Sequence, residues 1–440
     1  MKRTFTKLFS TGILMCLTLI GFNAIAQTDS AKVQNTTVDS TAASAPKPEV
    51  KADAVKTVVK SDDADTDWKP VRRVWGYAFG DFYYKGHTDP SNRGGSNQYS
   101  GVANDRNAFQ LRRIYLGYDY DITKKFSAEL LLAAEDNSTN FGNAPTSGSG
   151  DQLVDGKYSF YIKLLNLRWK NIWKGTDLVI GQQATPAFPL LSEKIWSYRS
   201  IERTVTDIRR TPSFDLGAGL QGTFDPDTKN YGYNLLVANG TGAKAENDIY
   251  KWFYGDIYAK FFGQKLVFDL YADYEKLSGN TATTSAVSRN MIKGYVAYTI
   301  PKFTVGVEAF TNNLKNGALA TRADKSTAVF DQTAIAYSVY VRGAIYKDKV
   351  GFYARYDTYN PDTKGLDGVN FVSYKGLVSN YDPNNKEQFI TAGLDFMPTK
   401  NVHLMPNVWY NSYKNQLSPG TIPNGFDVVY RMTAYFTFGK

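Results

Sequence analysis

From Arg73 to the C-terminus, apolar and polar residues alternate with a period of two. In the last segment Phe426, Val428, Tyr430, Met432, Ala434, Phe436 and Phe438 interleave with Asp427, Val429, Arg431, Thr433, Tyr435 and Thr437. Mid-chain, Leu266, Phe268, Leu270, Ala272 and Tyr274 oppose Val267, Asp269, Tyr271, Asp273 and Glu275. Successive side chains of a strand point to opposite faces, so each segment predicts a strand with one greasy and one mostly polar side. Sixteen such segments lie near 73–84, 108–120, 126–136, 157–169, 176–184, 214–224, 231–239, 249–261, 265–276, 290–300, 303–312, 334–346, 349–358, 388–396, 401–412 and 426–438. Strands of ~10 residues with this dyad repeat suit a transmembrane barrel wall.

The connections alternate in length. Short turns at 121–125, 225–230, 262–264, 301–302, 347–348 and 397–400 are separated by long Gly-, Asn-, Ser- and Asp-rich stretches at 85–107, 137–156, 184–213, 313–333 and 360–388. An even strand number with short turns at one rim and long loops at the other predicts an all-β fold. This is a sixteen-stranded antiparallel transmembrane β-barrel over residues 73–440, in a Gram-negative outer membrane with both termini periplasmic. A β-sandwich also alternates, but gives no reason for the long-short order. Trp75, Tyr118, Trp169, Tyr274, Tyr298, Tyr356, Tyr410, Phe436 and Phe438 are expected in interfacial girdles. Leu270 and Val428 should sit near mid-bilayer on the lipid face, and Asp269 and Thr433 on the inner face.

The first 72 residues lack this pattern. Lys2, Arg3 and Lys7 precede an apolar run at 8–22, and Ala24-Ile25-Ala26 is a small-residue cleavage pattern, so 1–26 reads as a signal peptide. Residues 27–72 have no aromatic before Trp68 and read as a disordered periplasmic segment. Val50, Val55, Val58 and Val59 are spaced for a short helix within 48–60. The one cysteine, Cys16, would leave with the signal, so neither disulfides nor thiolate chemistry is expected in the mature chain. Aromatics make up 15% of the chain, with 31 Tyr and 26 Phe, against 42% hydrophobic residues in all. A Tyr-led composition points to β-structure and away from a helical enzyme. The formal charge of +9 falls by three with the signal, and no basic cluster with interleaved aromatics appears, which argues against nucleic acid as a partner.

Several segments resemble the phosphate-selective porin O and P family. They are Leu111-Arg112-Arg113-Ile114-Tyr115-Leu116-Gly117-Tyr118, the turn Ile122-Thr123-Lys124-Lys125 with Phe126-Ser127-Ala128-Glu129-Leu130, and Val179-Ile180-Gly181-Gln182-Gln183. Pro186-Ala187-Phe188-Pro189, Ile201-Glu202-Arg203 and Asp215-Leu216-Gly217-Ala218-Gly219-Leu220 extend the likeness. It is most specific over residues 108–224. The resemblance implies a homotrimeric outer-membrane porin for passive diffusion of small hydrophilic solutes, with a third loop folded into the pore. Here that loop is 184–213. Without a clear ladder of inward arginines, phosphate selectivity is not carried over.

By parity Arg113, Arg168, Arg342, Arg355 and Arg431 line the lumen, but so do many carboxylates, among them Glu129, Asp215, Asp256, Asp273 and Glu308. Lys194, Arg199, Arg203, Arg209 and Arg210 outnumber Glu193, Glu202 and Asp207 on the third loop. Charge at a constriction selects ions at close range, so these five are the candidate constriction and solute-binding residues, with a weak anion preference. The competing reading is that they pair with wall carboxylates and pin the loop.

Other motifs carry less. Gly217-Ala218-Gly219-Leu220-Gln221-Gly222 satisfies G-x-G-x-x-G but lies inside a strand, with no helix to receive a pyrophosphate. His87 and His403 have no nucleophile or metal partner at diagnostic spacing. Asp225-Pro226-Asp227 is ordinary turn chemistry before it is a calcium loop. No catalytic constellation, cofactor motif or metal site is read from the chain. The alternative to a channel is a barrel with a closed pore whose loops, such as 360–388, bind a glycan or a surface protein.

Overall fold

The computed structural model describes residues 68–91, 93, 99, 101–135, 159–209, 212–277, 287–363, 371–376, 385–415 and 424–439. Residues 1–26, expected to be a signal peptide, residues 27–67 with the helix considered at 48–60, and Arg210 lie outside them.

The strands are β1 (Arg72–His87), β2 (Asn107–Asp121), β3 (Phe126–Glu135), β4 (Tyr161–Trp173), β5 (Thr176–Ala184), β6 (Phe214–Thr223), β7 (Tyr231–Ala238), β8 (Trp252–Phe261) and β9 (Leu266–Leu277). There follow β10 (Val287–Ile300), β11 (Phe303–Arg322), β12 (Thr327–Tyr346), β13 (Val350–Asn360), β14 (Phe371–Gly376), β15 (Asn385–Thr399), β16 (Val402–Asn415) and β17 (Gly425–Phe438). Two short helices, α1 (Ser192–Trp196) and α2 (Val205–Arg209), lie between β5 and β6. Neighbours pair antiparallel, and β1 pairs with both β2 and β17, which closes the sheet. β14 pairs with the far end of β11, while β13 pairs directly with β15. Sixteen strands therefore form the wall. Closure leaves no unpaired edge in hydrocarbon, where an unsatisfied backbone group is costly.

The dyad repeat sorts as expected. In β9, Val267, Asp269, Tyr271 and Asp273 are buried, while Phe268, Leu270 and Tyr274 are exposed on the apolar outer face. Tyr118, Trp169, Tyr298, Tyr356, Phe436 and Phe438 are exposed there too. Trp75 is a correction. It stacks on Tyr77 and packs with Phe79 and Tyr115 on the inner face, while neighbouring Val74 is exposed. Its cross-strand partner is Gly117, where a Cβ would come within 2.4 Å of the indole, so the missing side chain makes room for the ring.

Val428 is a second correction. It faces outward but pairs with His87 at the loop end of β17, so Met432, deeper in the strand and 45% exposed, is the mid-bilayer residue. Asp269 and Thr433 do face inward, yet both are buried: Asp269 lies 3.0 Å from Lys293, and the Thr433 hydroxyl donates to Asp81 at 2.5 Å. Arginine at Leu270 or Met432 is expected to cost ~2–4 kcal/mol of folding free energy in bilayers. The same change at Tyr258, which borders an open cavity on the inner side of the wall, should cost far less. Denaturant titrations that rank Tyr258→Arg with the other two would contradict the assigned faces.

The expected loop at 313–333 is also largely strand. β11 and β12 run on as a hairpin to the turn at 323–326. Asn316 adopts a left-handed φ of 55° and the register shifts between Leu314 and Ala318, so pairing resumes beyond a bulge. Buried Ala318 and Ala320, with Phe330 against them, hold the extension. The polar run around Asn316 hid it.

Candidate functional site

Beyond β5 the chain turns into the barrel. The neck of this third loop is tied at Thr185, whose amide donates to Ser213 O (3.2 Å) and whose hydroxyl donates to Pro212 O (2.8 Å). Phe188 O accepts the amides of Leu191 and Glu193, turning the chain into α1, and Ser197 ends that helix with a φ of 64°.

Two apolar clusters seat the loop on the inner wall. Ala187, Phe188 and Val205 pack among Leu236, Trp252, Tyr254, Tyr271, Met291 and Phe310, and Trp196 and Ile201 pack with Tyr295, Tyr340, Tyr353 and Met405. Each fully buried large side chain contributes ~1.5–3 kcal/mol.

Irregular backbone inside a barrel needs partners for its carbonyls, and wall cations supply them. Arg112 donates to Ser200 O (2.8 Å), Arg431 to Ile201 O (3.0 Å) and Arg342 to Ile195 O (3.0 Å). Lys293 donates to Ala187 O and Arg355 to Arg203 O. In return Glu308 accepts the amide (3.1 Å) and hydroxyl (2.6 Å) of Thr206, and Asp395 accepts the Tyr198 hydroxyl (3.0 Å). The first loop enters as well: Tyr99 and Val102 are buried against Tyr83, Phe389 and Trp409.

These contacts decide the fate of the sequence-derived candidates. Arg209 forms a two-pronged pair with Glu387 (2.9 and 2.5 Å), both side chains being buried. Arg199 pairs with Glu193 and with Asp207 (2.6 Å) within the loop itself. Arg203 lies 3.8 Å from both Glu202 and Asp207. Of these three, Arg209 pairs with a carboxylate of the wall, and Arg199 and Arg203 lie beside carboxylates of the loop itself. Lys194 alone of the described four has no ion pair within 4.0 Å among the described residues, and it faces open space. Of the wall set, Arg342, Arg355 and Arg431 clamp the loop and Arg113 is held by Glu135 (3.1 Å). Arg168 stays half-exposed, donating to Asp177 (3.0 Å) and Gln221 (2.8 Å).

The open space lies on the other side of the loop, against β3 to β8. A cavity of about 540 Å³ is bordered by Arg168, Lys170, Lys194, Lys229 and Lys260, with Asp177 the one carboxylate. Lys170 is paired with Asp121 at 2.6 Å, whereas Lys194, Lys229 and Lys260 have no ion pair among the described residues. A second cavity of about 330 Å³ shares Arg168, Leu190, Lys194 and Gln221 with the first, so the two adjoin. Tyr77, Tyr115, Leu131, Leu164 and Phe214 line one side of it, and Glu129, Lys163, Glu193 and Arg199 contribute charge of both signs.

Sequence parity missed Arg112, because a bulge pairs Phe79 with Arg113 and Gly80 with Leu111, turning two consecutive arginines inward. It also missed Lys229, which sits in a turn. The remaining motifs are absorbed by structure. Gly217 to Gly222 lie in β6, His87 Nδ1 meets Phe426 O (2.8 Å), and His403 pairs with Asp395 (2.9 Å). Against the slight burial that would raise it, the Asp225 carboxyl is held well below its usual range by the Thr228 hydroxyl and the Tyr231 and Asn230 amides, which occupy its oxygens. No cluster of three metal-ligating side chains occurs among the described residues.

No family model and no curated protein matches the chain. Solved structures do. The outer membrane channel DcaP of Acinetobacter baumannii aligns with a TM-score of 0.56 at 10% identity, covering 84% of this chain and 97% of that one. An anion-selective porin from Comamonas acidovorans aligns at 0.52 and 12% identity, covering 84% and 100%. Salmonella typhi OmpF, in a complex with daunomycin, aligns at 0.51 and 10%, covering 83% and 97%. The likeness is one of fold: this chain has the architecture of these outer-membrane barrels.

Proposed function

We propose that the chain is an outer-membrane porin through which small hydrophilic solutes diffuse passively, with a weak preference for anions. The observation that carries this reading is the 540 Å³ cavity with three unpaired lysines and Arg168 on its border. Excess charge of one sign beside low-dielectric walls concentrates counter-ions. The preference is therefore seated on Lys194, Lys229 and Lys260, while the described loop arginines Arg199, Arg203 and Arg209 each lie within 4.0 Å of a carboxylate.

The motifs shared with the phosphate-selective porins support the same class of protein. Pro186 to Pro189 and Ile201 to Arg203 are the stretches that seat the third loop, and Arg112 and Arg431 hold that loop by its carbonyls. Phosphate as a preferred solute has no support in the clamping arginines. The same motifs support a homotrimer, which cross-linking of detergent-extracted protein would report as a threefold mass. The N-terminal signal and periplasmic segment complete the reading.

Purified full-length protein in planar bilayers should produce discrete conductance steps. A folded barrel that stays silent would instead favour the closed-pore reading, since described residues of the first and third loops pack against the inner wall, and would move function to the outer loops.

A further inference from the structure

The narrower cavity is two-sided in a way that the wider one is not. One side is built by Tyr77 and Tyr115, whose rings lie 4.5 Å apart between centroids, and by Leu131 and Leu164 on the next two strands. These four side chains belong to or pack against a single apolar cluster on the inner face of β1 to β4, away from both loop-seating clusters. Lys194 and Arg168 line the same cavity and also border the basic one.

An inorganic ion gains nothing from an apolar, aromatic inner wall, whereas a flat organic ring can lie against it. Most apolar side chains on the inner face are consumed in seating the third loop. Tyr77, with Tyr115, Leu131 and Leu164, lines the 330 Å³ cavity. Resting on the porin reading, we propose that this cavity selects organic monocarboxylates with a planar apolar body, the carboxylate held by Lys194 and Arg168 and the ring laid against Tyr77. The charge of the solute draws it in through the basic cavity, and the ring slows it beside the tyrosines. Lysine and ring act on different parts of the solute, so they separate by mutation.

Benzoate and acetate carry the same carboxylate and differ in the ring. With the full-length protein in bilayers at neutral pH, benzoate should reduce the KCl current saturably, while acetate at equal concentration should not. In Tyr77→Ala the half-blocking benzoate concentration should rise roughly three- to tenfold, the magnitude of one lost aromatic contact. In Lys194→Gln it should rise by a comparable factor. Heat-modified gel mobility establishes that each variant is folded. Benzoate block equal to that of acetate, or unchanged in Tyr77→Ala, would overturn the proposal. So would block by neutral glucose as strong as by benzoate. Those failures leave a conducting, anion-preferring channel standing, whereas loss of stepwise conductance in the unmodified protein would remove the porin reading itself.

Discussion

Replacing Lys194 and Lys260 together by glutamate should turn the proposed weak anion preference into a cation preference. The two changes alter the cavity by four units of charge. A unit charge at 4 Å in water is worth about 1 kcal/mol, and salt screening at ~0.1 M reduces but does not remove it over the few ångströms available. The expected shift in the chloride-to-potassium permeability ratio is on the order of tenfold or more, read as reversal potential in a KCl gradient. Both lysines border the 540 Å³ cavity, and neither forms an ion pair among the described residues, so neither substitution strands a buried partner. A reversal potential that stays on the anion side would assign selectivity to another part of the lumen.

Arg209→Ala should act on stability and noise, not on the sign of selectivity. Arg209 and Glu387 are 6% exposed each, and the Asn411 amide also donates to the Glu387 carboxylate, at 2.8 Å. Stranding one member of a buried pair costs ~3–5 kcal/mol, while removing both costs much less. Urea midpoints in bilayers should therefore fall in Arg209→Ala and largely recover in Arg209→Leu with Glu387→Leu, the comparison a double-mutant cycle isolates. Because α2 would lose its tie to β15, the single variant should also show more open-channel noise. Equal destabilisation by the single and double variants would mean that the pair does not hold the loop.

The wall was legible because period two and turn chemistry are local properties. Asp225 with Asn230, or Lys347 with Asp348, announce a turn without reference to anything distant. The inner face was only half legible. Tyr271, Tyr295 and Tyr353 occupy polar-face positions, and those misplaced aromatics were the available signal for a packed loop. Their seating partners, Phe188 and Trp196, lie far away in sequence. Bulges broke parity at Arg112, and a glycine across the strand drew Trp75 inward.

Which cations are free could not be read from the chain at all. Arg209 and Lys194 belong to the same loop and carry the same charge, yet one meets Glu387 from a strand 178 residues away and the other meets open volume. Sequence counts charge; only the fold assigns partners. For that reason the excess of loop arginines does not say which of them meets a carboxylate in the fold.

The central claim is that the lumen is divided into a side filled by the third loop and a side of open, basic volume. Cys16 is the one cysteine of the sequence, which allows a direct test with single cysteines in a Cys16-free background at Lys194, Lys260 and Ala187, the last a fully buried residue of the loop seated on the wall. A negatively charged, water-soluble methanethiosulfonate, added during bilayer recording, should react rapidly at 194 and 260, lowering anion preference as it does so. It should leave the 187 variant unmodified. Fast modification at 187, or none at 194 and 260, would contradict the division of the lumen.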